Sequence, residues 1–214
     1  MIVVIPTYQR LEITTINIKL LLGQKFKIVL VVSDQYELNY YAKFPVYIIV
    51  RPNNPLGNKW QEGLNYARRF NPDHVVILGS DDLLSKDFHE KYRGVSIFTG
   101  FRTFYAYSER LYQFEYLPEQ PIGGARIYPR EYLDSLDWQI FDTKKDRLLD
   151  DKGFYAIKEL NHQIVNSTEV LAVKGNWAVL NPLNIKHKNV KLMGTWEGEG
   201  AKQLMKEKFG YDGS

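Results

Sequence analysis

The sequence predicts an α/β protein with a mostly parallel central sheet, helices on both faces and a smaller antiparallel β element. Three observations carry that expectation. Short β-branched apolar runs alternate with amphipathic stretches through roughly the first hundred residues. Those runs are continuously apolar, as strands covered on both faces tend to be. After about residue 95 the pattern turns to aromatic-rich segments joined by turn residues.

The elements follow in order. Ile2–Ile5 is a first strand stopped by Pro6, and Leu11–Leu22 carries Leu11, Ile13, Ile16, Leu20 and Leu21 on one helical face up to Gly23. Lys27–Val32 and Val46–Val50 are the second and third strands. Gly57–Phe70 reads as a helix with Trp60, Leu64 and Ala67 on one side. Val75–Leu78 is a fourth strand, and a short helix begins near Ser85, a suitable N-cap. The stretch SIFTGFRTFYAYSERLYQFEYLPEQP reads as two long aromatic strands joined near Ser108-Glu109-Arg110. A loop with Gly123 and Gly124 follows, then a helical YPREYLDSLDW, an acidic loop entering a helix in LLDDKGFYAIKELN, and strand and loop in EVLAVKGNWAVLNP. A final helix spans Glu197–Phe209, with Ala201, Leu204, Met205 and Phe209 on one side.

Composition narrows the classes. With 214 residues, 44% hydrophobic and 14% aromatic, the chain can bury one sizeable core and is short for two domains. Its 28 basic and 25 acidic side chains leave a net charge of +3, too little by itself to indicate nucleic-acid binding. Cysteine is absent, which excludes a disulfide framework, a thiolate nucleophile and a thiolate metal site. No apolar stretch approaches the ~20 residues needed to cross a bilayer, and the start MIVVIPTYQR lacks the features of a secretory leader. The expectation is a soluble, cytoplasmic protein.

In an open parallel sheet, ligands bind beyond the carboxyl ends of the strands. Here those ends offer Pro6-Thr7-Tyr8-Gln9-Arg10, Ser33-Asp34-Gln35, Arg51-Pro52-Asn53-Asn54 and Gly79-Ser80-Asp81-Asp82. An aromatic ring, a lone carboxylate, amides, an arginine and an acidic pair together suit a nucleotide. Tyr8 can stack on a base, Asp34 can accept a base N–H, and the acidic pair can hold a divalent ion against phosphates. Neither G-x-x-x-x-G-K-[ST] nor G-x-G-x-x-G is present at the first strand, so a glycine-rich phosphate cradle is not expected. Carboxylate ligands imply a hard cation, Mg2+ or Mn2+.

The segments VVIPTYQR, VSDQ, NNPLGNKWQEGLNYAR and VVILGSDDLLS resemble, in order and spacing, the family 2 glycosyltransferases, which have the GT-A fold. The resemblance covers the first hundred residues well and the rest loosely. It implies a single domain, with residues 1–95 binding a nucleotide-sugar and residues 96–214 forming the acceptor and catalytic half. Pro6, Thr7 and Tyr8 would line the base pocket, Asp34 would meet a uracil edge, and Arg10 could reach the nucleotide. Asn54, Gly57 and Lys59 would pass near the ribose and diphosphate. Ser80-Asp81-Asp82 would match the acidic metal-binding element, with Asp81 the first metal ligand, Asp82 beside it and Gly79 where the family has its first acid. In the second half, PIGGARIYPREYLDSLDW would border the donor sugar and acceptor. LLDDKGF would supply the catalytic base, Asp151, with Asp150 as its neighbour. Two adjacent acids also suit a helix start, where they favour the dipole. His187 is the candidate for completing the metal shell, although it also reads as an ordinary surface residue. Trp138 and Trp177 could stack on a sugar or fill the core.

The resulting expectation is a metal-dependent inverting glycosyltransferase. It would take a UDP-sugar donor and a glycan, lipid-linked, protein or modified-DNA acceptor. The alternatives are a sugar-nucleotide nucleotidyltransferase, or a sugar-nucleotide- or glycan-binding module without turnover.

Overall fold

A computed structural model describes residues 1–146, 149, 154–155, 157–174 and 189–213. The first half alternates strand and helix: β1 (Ile2–Pro6), α1 (Leu11–Gly23), β2 (Lys27–Val32), α2 (Gln35–Tyr41), β3 (Tyr47–Val50), α3 (Leu56–Arg68) and β4 (His74–Ile77). After β5 (Asp82–Leu84) and α4 (Phe88–Tyr92) come β6 (Phe98–Phe101), β7 (Thr103–Tyr107), β8 (Leu111–Tyr116) and β9 (Arg126–Pro129). The remaining described elements are α5 (Arg130–Ser135), β10 (His162–Val165), β11 (Val170–Val173), β12 (Val190–Trp196) and α6 (Gly198–Phe209).

Two sheets form. The larger runs β10-β6-β9-β4-β1-β2-β3, with β4, β1, β2 and β3 mutually parallel and β9 antiparallel to both its neighbours. The smaller runs β12-β8-β7-β11-β5 and is antiparallel except where β11 lies parallel to β7. The chain is therefore α/β with a mostly parallel central sheet, as expected, while the smaller β element is mixed rather than purely antiparallel.

The period-2 geometry of a strand explains why the first-half runs are apolar throughout. Val3 and Ile5 of β1 pack with Ile18 and Leu21 of α1, Tyr41 of α2 and Phe88 of α4 on one face. Ile2 and Val4 pack with Leu64 and Ala67 of α3, Leu133 of α5 and Trp138 on the other. Trp138 is thus core, and its indole N–H donates to Asp134 Oδ1 at 2.8 Å. The smaller sheet is backed by α6, whose Ala201, Met205 and Phe209 meet Leu83, Tyr105 and Leu171.

Three sequence expectations change. The first long aromatic strand is broken at Arg102, where the chain leaves β6 in the larger sheet for β7 in the smaller one. YPREYLDSLDW begins inside β9 rather than as helix. Ser85 caps no helix: its hydroxyl donates to the buried Glu169 carboxylate, and Asp87 precedes α4 instead.

Direct crossings between the sheets occur at residues 78–81, at Arg102, at residues 117–125 and at residues 166–169. The first of these is the Gly79-Ser80-Asp81 turn. The acidic pair therefore sits on the seam where the two sheets diverge.

Candidate functional site

A cleft of about 590 Å3 opens on that seam. Pro6, Thr7, Tyr8 and Arg10 from the end of β1 line one side, with Gly79, Ser80, Asp81 and Asp82 from the crossing turn. The smaller sheet supplies an apolar wall that includes Phe104, Phe114, Val170 and Ala172, and closes it with Lys174. Gly123, Gly124 and Arg126 come from the segment entering β9. The cleft thus lies at the carboxyl ends of β1 and β4, where an open parallel sheet places its ligands.

The turn is held from β11 and from α1. Val173 N–H donates to the Asp81 carbonyl at 2.8 Å, and Asn17 Nδ2 of α1 donates to the Asp82 carbonyl at 2.9 Å. These bonds leave the Asp81 side chain, 6% exposed, facing two cations. Arg10 Nη1 lies 2.7 Å from Asp81 Oδ1 and Lys174 Nζ lies 3.0 Å from Oδ2. Arg10 occupies the N-cap of α1 yet makes no side-chain cap; its guanidinium reaches across to Asp81, with a longer contact of 3.4 Å to Ser80 Oγ. Arg10, Lys174 and Arg126 against Asp81 and Asp82 give the described lining a surplus of one positive charge.

The expected cation at Asp81 meets this geometry poorly. Both carboxylate oxygens already face a cation, so a divalent ion would have to displace Lys174 or Arg10 and then sit among like charges. Among the described residues no group of three His, Cys, Asp or Glu side chains could hold a metal. His187, Asp150, Asp151 and Trp177 lie outside the described residues.

The other expected nucleotide contacts divide. Pro6, Thr7, Tyr8, Arg10, Ser80 and Asp82 line the cleft together. Asn54 does not; its neighbour Asn53 does, along with Leu56 and Trp60. Asp34 is the N-cap of α2, and its Oδ1 accepts from Glu37 N–H at 2.8 Å. Gly57 is packed against the chain at residues 142–145, its N–H donating to the Lys145 carbonyl at 2.8 Å.

Lys59 is fully buried beneath the cleft rather than lining it. Its ammonium donates to the Thr7 carbonyl, to Ser33 Oγ at 2.6 Å and to Asn53 Oδ1 at 3.3 Å, tying together the loops after β1, β2 and β3. Burial pushes it down to about 8, against a partial upward pull from Glu37 and Asp34. Glu37, buried in the first turn of α2, does the matching work for two of these loops: its carboxylate accepts from Gln9 N–H and Ser33 N–H, both at 2.6 Å. The resemblance names Lys59, although as a residue near the ribose and diphosphate rather than a buried tie; Glu37 is not found by strand-end reasoning.

Lys174 is the second omission. It follows β11 directly, so an inventory of strand ends extended into the second half finds it.

No family model matches the chain, and no curated protein sequence matches it. Solved structures do resemble it. CMP:2-keto-3-deoxy-manno-octonic acid synthetase complexed with CTP aligns with a TM-score of 0.49 at 10% identity, covering 79% of this chain and 90% of that one. A Bacillus anthracis protein described as a glucose-1-phosphate thymidylyltransferase, in complex with sucrose, gives 0.47 at 9%, covering 79% and 87%. CTP:phosphocholine cytidylyltransferase from Streptococcus pneumoniae gives 0.47 at 10%, covering 79% and 91%. At these identities, and with TM-scores below 0.5, the likeness assigns no residue of this chain a role. The specific resemblance to family 2 glycosyltransferases finds no support in them.

Proposed function

We propose that this chain is a transferase acting on a nucleotide-activated sugar, with glycosyl transfer to an acceptor hydroxyl as the first reading. The observation that carries it is the cleft at the strand ends. It combines an exposed tyrosine, a cationic seam and an apolar wall, the needs of a base, a phosphate chain and a sugar or acceptor. In this reading Tyr8 stacks on the base of a UDP-sugar and Ser80 and Asp82 lie toward the ribose and diphosphate. The acceptor oxygen attacks the anomeric carbon, and the bond from that carbon to the phosphate oxygen breaks. The nucleoside diphosphate departs with the electron pair, and Asp151, with Asp150 beside it, takes the acceptor proton. The acceptor is a glycan, a lipid-linked sugar, a protein or a modified DNA base.

Nucleotidyl transfer is the second reading. The three similar structures named above are described by names of nucleotide-using synthetases or nucleotidyltransferases, and the same cleft could take a nucleoside triphosphate. Thr7-Tyr8-Gln9 stands after β1 where such enzymes usually carry a glycine-rich loop, which is why this reading comes second.

One assay separates them. The protein is incubated with UDP-, GDP- or TDP-sugars, and separately with nucleoside triphosphates plus sugar 1-phosphates. Nucleoside diphosphate release that Asp151→Asn abolishes supports glycosyl transfer. Pyrophosphate release supports nucleotidyl transfer. Tight binding without either product makes the chain a binding module.

A further inference from the structure

A nucleotide site without a glycine-rich cradle commonly offsets diphosphate charge with a divalent cation. The carboxylate placed to hold one here, Asp81, is instead the shared partner of Arg10 and Lys174. We infer that Arg10 and Lys174 are themselves the phosphate-binding groups of this cleft, with Asp81 their counter-ion and positioning residue. The inference rests on the cleft being a nucleotide site and names how that site meets its ligand's charge.

The two cations come from different sheets. Arg10 stands at the start of α1, just after β1, and Lys174 at the end of β11, and they meet only because Asp81 lies on the crossing between the sheets. Side-chain exposure is 20% for Arg10 and 14% for Lys174 but 6% for Asp81, so the carboxylate is the deepest of the three. Two cations held this close without an anion would repel each other strongly. Asp81 removes that cost before any ligand arrives and leaves one positive charge over.

Donors remain for a ligand. Both Arg10 contacts run through Nη1, and among the described residues Nε and Nη2 make no hydrogen bond. A guanidinium fork of that kind matches phosphate oxygens, and an ammonium offers three donors, of which Lys174 gives one to Asp81. A diphosphate entering the cleft meets donors already in place, which is how preorganised charge binds without reorganisation. Arg126, with its guanidinium donating to the Pro121 and Ile122 carbonyls, adds a third cation to the same lining.

The test is titration calorimetry of the whole protein with UDP, CDP, GDP and TDP, each in EDTA and in Mn2+. The nucleotide that binds is expected to bind equally well in both. Lys174→Met is expected to weaken that nucleoside diphosphate by roughly 10- to 100-fold, the loss of one charge-assisted contact. The parent nucleoside, which has no phosphate, should be unaffected by the substitution. Binding that requires Mn2+ and disappears in Asp81→Asn overturns the inference while leaving the nucleotide reading intact. Failure of all four nucleotides in both conditions overturns both. The comparison of EDTA with Mn2+ uses the unaltered chain, so it does not depend on any variant folding.

Discussion

The Asp82 carboxylate fills the space that a side chain at Gly79 would need. A Cβ on Gly79 would lie 2.5 Å from Asp82 Oδ2, and one on Gly124 would lie 2.9 Å from the same oxygen. The carboxylate is wedged between two segments of chain that both lack a Cβ. At Gly79, where the resemblance leads one to expect an acid, any side chain would have to displace the Asp82 carboxylate. An aspartate there would meet a steric block and add a third carboxylate to those of Asp81 and Asp82.

Gly79→Ala should accordingly destabilise the fold by about 1–3 kcal/mol, the usual cost of overpacking. For a chain of this size that is a fall of roughly 2–4 °C in Tm per kcal/mol. In an Asp82→Ala background the same substitution should cost much less, because the obstructing carboxylate is gone. Denaturant unfolding of the four proteins in the cycle measures the coupling. Strictly additive costs would show that this contact does not set the requirement for glycine.

Much of this is legible from residue patterns, and the omissions share a cause. β1, β2 and β4 are plain because both faces of each are covered, so that Val3 and Val4 alike face apolar neighbours. The β7–β8 hairpin is plain from its polar turn at residues 108–110. Helix α2 is not, because QYELNYY buries only Glu37 and Tyr41 and shows no apolar stripe. Its cap, Asp34, reads as a base contact because an acid after a strand looks the same in either role. β9 is hidden because it joins the larger sheet antiparallel, between β4 and β6, from far along the chain. In the site, the types of residue at the strand ends are readable but their pairing is not. Nothing local says that Asp81 will meet Lys174, 93 positions on.

Glu37 yields the next expectation. Its two oxygens hold the backbone N–H groups of Gln9 and Ser33, so Glu37→Gln turns an amide N–H toward one of two part-buried donors. The loss should be about 1–3 kcal/mol, since one part-buried donor loses a charge-assisted bond and faces an amide N–H instead. Hydrogen exchange should rise at Gln9 and Ser33 in particular. Unchanged protection at both amides would show that other contacts hold these loops.

The buried Lys59 makes stability depend on alkaline pH. Its folded value of about 8 lies below the ordinary 10.5, so between these values the unfolded chain binds the extra proton. Stability therefore rises with pH across that window, by up to the order of 3 kcal/mol. Tyr41 opposes it later: burial pushes its phenol from 10.0 to about 12, so its contribution is lost as pH climbs through that interval. Urea midpoints from pH 8 to pH 10 should rise for the wild type relative to Lys59→Met. Parallel profiles for the two proteins would place the folded titration of Lys59 outside this window.

Two helical glycines should respond to alanine with opposite signs. In a helix interior alanine is favoured over glycine by about 1 kcal/mol. Gly200, in α6, has open space for 4 Å around the position an alanine Cβ would take, so Gly200→Ala should raise Tm. Gly57, in the first turn of α3, would bring its Cβ to 2.0 Å from the Asp142 carbonyl oxygen and 2.9 Å from that of Lys145. Those are backbone atoms, and Leu56 N–H is tied to Asp146 Oδ1 at 2.8 Å in the same place, so helix and loop must part. Gly57→Ala should lower stability by about 2–4 kcal/mol despite its better propensity. The damage should also reach the cleft, because the same turn of α3 carries Lys59 to the Thr7 carbonyl and Trp60 to the lining. Nucleotide affinity should therefore fall in Gly57→Ala and stay unchanged in Gly200→Ala. Equal Tm shifts in the two variants would mean that the loop at residues 142–146 yields without cost, and that α3 is positioned by its apolar face alone.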